Sequence, residues 1–338
     1  MKRFLLAAVL LLAACTQPAG PERVSFFALG TLVEVSVAEP PAHAAEALAE
    51  LEALLLAEER RWQAFGEGEL ARLNERLAAG ETVAVPAELR EGILLAAELS
   101  RRSQGLFNPA IGRLVMLWGF HDSEAMATSP PAAAEIDALL PPPGMDALVF
   151  GADGMQSRDP RLWLDMGAFA KGLALRKAAA LLQERGLGNA IINASGDMVI
   201  LGRARDRDWR IGIRHPREPG VFAALTSAGN ESVFTSGDYE RFFEYEGRRF
   251  HHLLDPRTGH PADNAASVTV ITEDAALADA ASTALFVAGR GRWAEVARDL
   301  GVRFVMLATA NGAVEMTPEM AERVEFLGEP PPVTVVTP

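Results

Sequence analysis

The chain has 338 residues, 49% of them apolar, and carries 32 Lys and Arg against 45 Asp and Glu, a net charge of −13 at neutral pH. So acidic a surface repels phosphate backbones and anionic bilayers, which excludes nucleic acid as a partner and electrostatic adhesion as a means of holding a membrane. Cys15 is the only cysteine, which leaves no room for an internal disulfide or a Cys-based zinc site.

In chain order, Met1-Lys2-Arg3 and the apolar run Phe4–Ala14 lead into Cys15. This is a charged n-region, a short h-region and a small-residue cleavage site. The run falls short of the ~20 residues a membrane-spanning helix needs. Leu12-Ala13-Ala14-Cys15 resembles a lipobox, so residues 1–14 are expected to be a lipoprotein signal peptide. Cys15 is the expected lipidation site and residues 15–24 a tether, which puts the protein in the cell envelope, lipid-anchored and facing the periplasm or exterior. Loss of Lys2 and Arg3 leaves a mature net charge of −15.

Residues 25–325 read as the folded domain and 326–338 as a C-terminal tail. Phe26–Val37 alternates around Gly30 and predicts a strand, and Ala42–Arg61 has helical periodicity. Trp62–Asn74 predicts a loop leading into a short helix, and Pro86–Ser103 a helix with Pro86 near its first turn. The Pro- and Ala-rich stretch 129–143 predicts a surface excursion and a subdomain boundary. Ala168–Arg185 predicts a helix stopped by Gly186 and Gly188. Short strands follow at Ala190–Asn193, Met198–Leu201 and Trp209–Arg214. Tyr239–Tyr245 and Arg248–Leu254 flank Glu246-Gly247, a pair suited to a two-residue hairpin turn. Ser267–Thr272 is a predicted strand and Asp274–Val287 a predicted helix. Hairpins segregated from helices favour an α+β fold.

Three clusters carry chemistry. Asp165-Met166-Gly167-Ala168-Phe169-Ala170-Lys171-Gly172 puts small residues at a helix start, where free N–H groups and the dipole favour a phosphate and Lys171 adds charge. The same segment is equally well read as a tight strand-to-helix turn. Thr235-Ser236-Gly237-Asp238 is followed by His251-His252-Leu253-Leu254-Asp255-Pro256-Arg257-Thr258-Gly259. In an alternating strand the two histidines face opposite sides, so at most one lines a given pocket, and His252 suits a general base. In the third cluster, Asp279 and Thr283 stand i and i+4 on an Ala- and Leu-rich helix, a carboxylate and a hydroxyl of the kind Mg²⁺ accepts.

Together these segments resemble the ApbE family of FAD:protein FMN transferases. The resemblance runs from about Phe27 to about Gly312. It takes in Leu29-Gly30-Thr31, Phe107-Asn108-Pro109, Leu117-Trp118-Gly119-Phe120, Asp165–Gly172, Asn193-Ala194-Ser195-Gly196-Asp197, Thr235–Tyr239, His252–Gly259 and Asp279–Phe286, in family order. It implies a T-fold-related architecture, antiparallel hairpins and sheets packed with helices, with FAD between two subdomains. It also implies Mg²⁺ held by Asp279, Thr283 and the Ala168 carbonyl, with a further carbonyl at Ser282. FAD contacts fall on Leu29, Asn108, Lys171, Asp238, His252 and Leu254, and His252 or Asp255 takes the proton of the attacking hydroxyl. The implied reaction moves FMN from FAD onto a Thr or Ser of exported flavoproteins and releases AMP. Two alternatives stay open: an FAD diphosphatase that uses water, and a lipoprotein that carries flavin without chemistry.

Overall fold

A computed structural model describes residues 21–122, 125–227 and 229–338; the expected signal peptide and the expected lipidation site Cys15 lie outside them. The chain opens with β1 (Glu22–Ala28) and β2 (Thr31–Val37), then runs through helices α1 (Ala44–Trp62), α2 (Glu69–Ala78), α3 (Ala87–Arg102), α4 (Gly112–Leu117) and α5 (Ala133–Asp137). A small hairpin, β3 (Leu148–Gly151) and β4 (Gly154–Ser157), precedes α6 (Ala170–Glu184). Then come β5 (Ala190–Ala194), β6 (Asp197–Leu201), β7 (Arg210–Arg214), β8 (Val221–Thr226), β9 (Glu231–Gly237), β10 (Phe242–Tyr245), β11 (Arg248–His251) and β12 (Ser267–Thr272). The last elements are α7 (Ala275–Ala288), α8 (Trp293–Leu300), β13 (Phe304–Ala308), β14 (Val314–Met316), α9 (Pro318–Ala321), β15 (Val324–Phe326) and β16 (Val333–Val335).

The predicted strand Phe26–Val37 is in fact a hairpin. Ala28 pairs with Thr31, and Leu29 and Gly30 turn the chain with φ of 57° and 68°, the left-handed pair of a two-residue turn. Alternation carries through such a turn unbroken, which is why the sequence hides it. The turns Ser195-Gly196 and Glu246-Gly247 share this left-handed pair and close β5–β6 and β10–β11.

A nine-stranded sheet runs β1-β2-β5-β6-β9-β12-β13-β14-β16. Its strands are antiparallel apart from the final pair, β14 and β16. Helices α1, α6, α7 and α8 cover one face, and their apolar stripes (Leu48, Leu51 and Leu55 of α1; Leu175, Ala178 and Leu182 of α6) form the main core with Val33, Val35, Ile192 and Val268. Each fully buried large apolar side chain there contributes about 1.5–3 kcal/mol. A three-stranded sheet, β15-β8-β7, packs on the other face through Ile211, Ile213 and Leu225 against Ile200, Val233 and Ile271. A third cluster joins Leu114, Trp118, Phe120 and Ile136 to Phe243 and Leu254.

Two organisational expectations are corrected. Residues 326–338 are not merely a tail, because Val333–Val335 pairs with β14 and finishes the sheet. The 129–143 excursion does not divide the chain into separate sheets, because β2 before it pairs with β5 after it. It instead supplies Ile136 and Leu140 to the third cluster. Among the described residues no helix is long and apolar enough to cross a membrane.

Candidate active site

The antiparallel register sets one end of the large sheet. The Leu29-Gly30 and Ser195-Gly196 turns, the end of β9 and the start of β12 all fall there. The N-terminus of α6 and the middle of α7 meet behind them, at a contact only glycine permits. A Cβ on Gly172 would lie 2.4 Å from the Ala275 carbonyl oxygen and 2.8 Å from the Asp279 Cβ.

That approach explains the position of Asp279. The residue capping α6 is Phe169, which has no polar side chain and makes no cap bond. The Gly172 N–H, one of the first-turn donors left without a helical partner, instead donates to Asp279 Oδ2 at 2.8 Å. Asp279 thus caps α6 from a neighbouring helix while only 7% exposed. Burial and the nearby Asp197 carboxylate raise its pKa to about 7, against the opposing pull of Lys171 and the Gly172 N–H. Lys171 Nζ in turn lies 2.8 Å from Asp197 Oδ2. Burial alone would lower the Lys171 pKa, but Asp197 and Asp279 outweigh it and hold the ammonium above its usual value. Two carboxylates therefore share one ammonium, and the pocket is short of positive charge.

Hydroxyls line the same place. Ser236 Oγ lies 2.8 Å from Ser282 Oγ and 3.1 Å from Thr283 Oγ1, and Ser282 Oγ donates to the Asp279 carbonyl at 2.9 Å. Thr235 N–H donates to Asp197 Oδ1 at 3.0 Å, fixing the second carboxylate. Among the described residues no three His, Cys, Asp or Glu side chains converge to hold a metal. A cation here would rely on one carboxylate, a hydroxyl, backbone carbonyls, water and substrate phosphate, the hard-oxygen set that suits Mg²⁺.

His252 and Glu240 lie within electrostatic reach of Lys171, with Arg241 and Tyr239 beside them. His252 Nδ1 sits 3.2 Å from the Arg241 carbonyl, which can only accept, so that nitrogen carries the proton and Nε2 keeps its lone pair. Burial and then the Arg241 charge push the His252 pKa well below its usual value, so it is neutral at pH 7. Tyr239 folds over Gly237, where a Cβ would come within 2.6 Å of the ring. Burial and the neighbouring Glu240 push the Tyr239 pKa up to about 12. Burial also raises Glu240, partly offset by Lys171 and Arg214, and Asp165, partly offset by the Gly167 N–H and Arg241.

The model of the ApbE family matches residues 29–306. An FAD:protein FMN transferase of Rhodobacter capsulatus is 41% identical over 95% of this chain, which spans 62% of that longer relative. One from Vibrio cholerae is 30% identical over 90% of this chain and 93% of its own length. Among solved structures, the ApbE protein of Thermotoga maritima superposes with a TM-score of 0.81 at 31% identity, covering 89% of this chain and 98% of its own. The flavin transferase ApbE of V. cholerae superposes at 0.77 with 26% identity, covering 92% and 100%. This chain belongs to the ApbE family of flavin transferases.

In this ApbE protein the sequence-derived site residues divide into two groups. Lys171 and Asp279 meet at the α6–α7 contact, with Thr283 one helical turn beyond Asp279 on α7 and Ala168 two residues before the start of α6. Leu29 stands at the hairpin tip at the same end of the sheet, held in a left-handed conformation that a branched side chain rarely adopts. His252 lies one residue past the end of β11, and the two histidines bond to different carbonyls, His252 to that of Arg241. His251 is buried, with Nε2 donating to the Ala262 carbonyl at 2.7 Å and its ring edge-on to Phe286.

Four others have structural partners instead. Asp255, expected to take a proton, is gripped by Arg257 Nε and Nη2 at 2.9 and 2.7 Å and by the Arg257 N–H, so it shapes its own turn. Asp238 makes a two-pronged pair with Arg217 at 2.6 and 2.7 Å. Both acids line a cavity of 550 Å³ on the His251 side of β11. Leu254 is buried in the third apolar cluster. Asn108 spends both ends of its amide on a turn, donating to the Pro143 carbonyl at 3.0 Å and accepting from Ala110 N–H at 3.0 Å. Sequence reasoning assigned no role to Asp197, Ser236 or Glu240. The Gly196-Asp197 step after a tight turn was the available signal for the first.

Proposed function

We propose that the protein is an FAD:protein FMN transferase that works with Mg²⁺, moving FMN from FAD to a Thr or Ser hydroxyl of target flavoproteins and releasing AMP. The observation that carries this reading is the buried Asp279 carboxylate, which shares Lys171 with Asp197 and stands one helical turn from the Thr283 hydroxyl. A buried carboxylate that lacks its own counter-charge is expensive, and a divalent cation is the partner its surroundings call for. Asp279, Thr283 and the Ala168 carbonyl, with the Ser282 carbonyl, would hold the ion. When bound, Mg²⁺ acts as a Lewis acid on the diphosphate.

The protein's own groups supply the rest. The α6 N-terminus and Lys171 favour the diphosphate electrostatically, which an acidic protein needs. Leu29, on its strained tip, bears on the flavin. The acceptor oxygen bonds to the FMN phosphorus as the bond to the AMP oxygen breaks. His252 Nε2 is the lone pair placed to take the hydroxyl proton, a role that Asp255, engaged by Arg257, does not fill. Export through residues 1–14 and lipidation of Cys15 complete the proposal, holding the enzyme at the membrane beside exported flavoproteins.

The test uses an acceptor domain first shown to be labelled by the V. cholerae relative. The protein is incubated with it, FAD and Mg²⁺, with Asp279→Ala alongside. Acid-stable flavin fluorescence on the acceptor with release of AMP, both lost in the variant, is expected. Free FMN and AMP without labelling would replace the reading with a diphosphatase, and unchanged bound FAD would leave a flavin carrier.

A further inference from the structure

A transferase that acts on proteins must hold a protein, and neither Asp279 nor His252 accounts for that. The outer strand β1 does. It is the edge of the nine-stranded sheet and pairs only with β2 among the described residues, so half of its backbone N–H and C=O groups face outward. Exposed edges are ordinarily guarded by Lys, Pro or bulges. The half of β1 nearest the site, Ser25-Phe26-Phe27-Ala28, has none of these.

The outward face of this strand has two ends of different chemistry. Phe27 is 77% exposed, and its cross-strand partner Leu32 is 42% exposed. This apolar pair lies immediately before the Leu29-Gly30 tip, at the active-site end of the sheet. Four residues back along the same face is Arg23, about 13 Å away at strand rise. Arg23 and Arg207 line one cavity of 590 Å³ together with Arg205, Arg210, Glu34 and Asp206. Arg210 is paired with Glu325 at 2.8 Å, and Arg205 donates to the Ala38 carbonyl at 3.1 Å. Arg23 and Arg207 have no ion-pair partner among the described residues. On a protein of net charge −13, this concentration of arginine runs against the rest of the surface.

We propose that β1 is the docking strand for the acceptor protein: an extended acceptor segment pairs along it, with an apolar side chain against Phe27 and Leu32 and a carboxylate about four residues away against Arg23 and Arg207. Backbone pairing gives affinity without demanding a particular sequence, and the two side-chain pockets set direction and register. The apolar end lies beside the flavin tip, so the reacting hydroxyl belongs to the part of the acceptor that continues past Phe27. The proposal rests on the transferase reading above.

The test compares wild type with Phe27→Asp and with the double variant Arg23→Glu, Arg207→Glu, all as full chains, on the acceptor domain validated with the V. cholerae relative. The KM for the acceptor is expected to rise at least about tenfold in each, with the Kd for FAD held within about twofold. An acceptor KM unchanged in both variants overturns the proposal. A photo-crosslinking phenylalanine analogue at position 27 reads contact directly. Crosslinking to the acceptor supports the proposal; crosslinking only to a second copy of the chain, or only to its own residues 1–20, overturns it. If the position-27 analogue crosslinks the acceptor but wild type transfers no FMN, the transferase reading fails and the docking surface stands. Neither crosslink nor transfer overturns both.

Discussion

Two regions look alike in the sequence and behave differently in the fold. The α7 segment Asp279–Thr283 and the turn Leu254–Gly259 each offer an acid beside hydroxyl or basic neighbours. In the turn, Arg257 answers Asp255 two residues away, through four hydrogen bonds, and the charge is settled locally. On α7 no neighbour in sequence answers Asp279. Its partners are a backbone N–H on another helix and an ammonium already held by Asp197. On the proposed reading, the group that serves chemistry is the one whose charge its own segment leaves unbalanced, and the group that serves the fold is the one balanced by its neighbours.

The sharpest way to break that contrast is to remove the two acids separately. Asp279→Asn is expected to lower kcat/KM for FMN transfer by about 10³-fold, some 4 kcal/mol, while the metal-free protein melts no lower than wild type because a buried charge has gone. Calorimetric melting and a transfer assay read both. Equal loss of fold and activity would make Asp279 structural.

The second test is pH. The folded pKa of Asp279 is raised to about 7, so protonation favours the folded state. This contribution is full below the unfolded value near 4 and is lost as pH rises through 7, of order 2–4 kcal/mol in all. Metal-free protein should therefore lose stability across that window, and Asp279→Asn should not. Because Mg²⁺ needs the ionised carboxylate, the Tm gap between Mg²⁺-loaded and metal-free protein should widen from pH 5.5 to pH 8. A gap independent of pH would remove Asp279 from the cation site.

Asp255→Asn is the converse case. Breaking its grip on Arg257 should destabilise the fold by about 1–3 kcal/mol, yet leave kcat within about twofold per folded molecule. A selective fall in kcat with a flattened pH profile would restore Asp255 to proton transfer. The smallest effect is expected from Thr283→Val, which keeps the shape and removes one oxygen. The apparent affinity for Mg²⁺ should weaken about tenfold, near 1.4 kcal/mol, read by titrating activity against the ion.

The helices α1, α3, α6 and α7 and the strand β12 were legible because their apolar spacing or capping residues are local signals. Asp274 at the N-cap of α7, accepting from Ala276 N–H at 2.9 Å, is one. The strand β13 was not, because Phe304–Ala308 is apolar throughout and shows no alternation. Nor was β16, an exposed edge strand among prolines. In the site, the i, i+4 spacing of Asp279 and Thr283 puts them on one helical face, but the family resemblance, not the spacing, singled them out. Asp197 was not legible, since it meets Lys171 only once β5–β6 is folded against α6. The arginine partners of Asp238 and Asp255 were not legible either: their turn sequences suit a ligand as well as they suit an arginine, and only the fold shows that Arg217 and Arg257 reach them.

The hydroxyls of Ser236, Ser282 and Thr283 carry a direction. A carbonyl oxygen has no proton to give, so Ser282 must point its hydrogen at the Asp279 carbonyl. Ser236 then donates to Ser282, and Thr283 to Ser236. Three rotors that would otherwise spin freely are threaded in one sense by a single fixed acceptor on α7. Thr283 is left with its hydrogen turned toward Ser236, so on the proposed reading its lone pairs would already be oriented for a cation and would not need to reorganise to meet one.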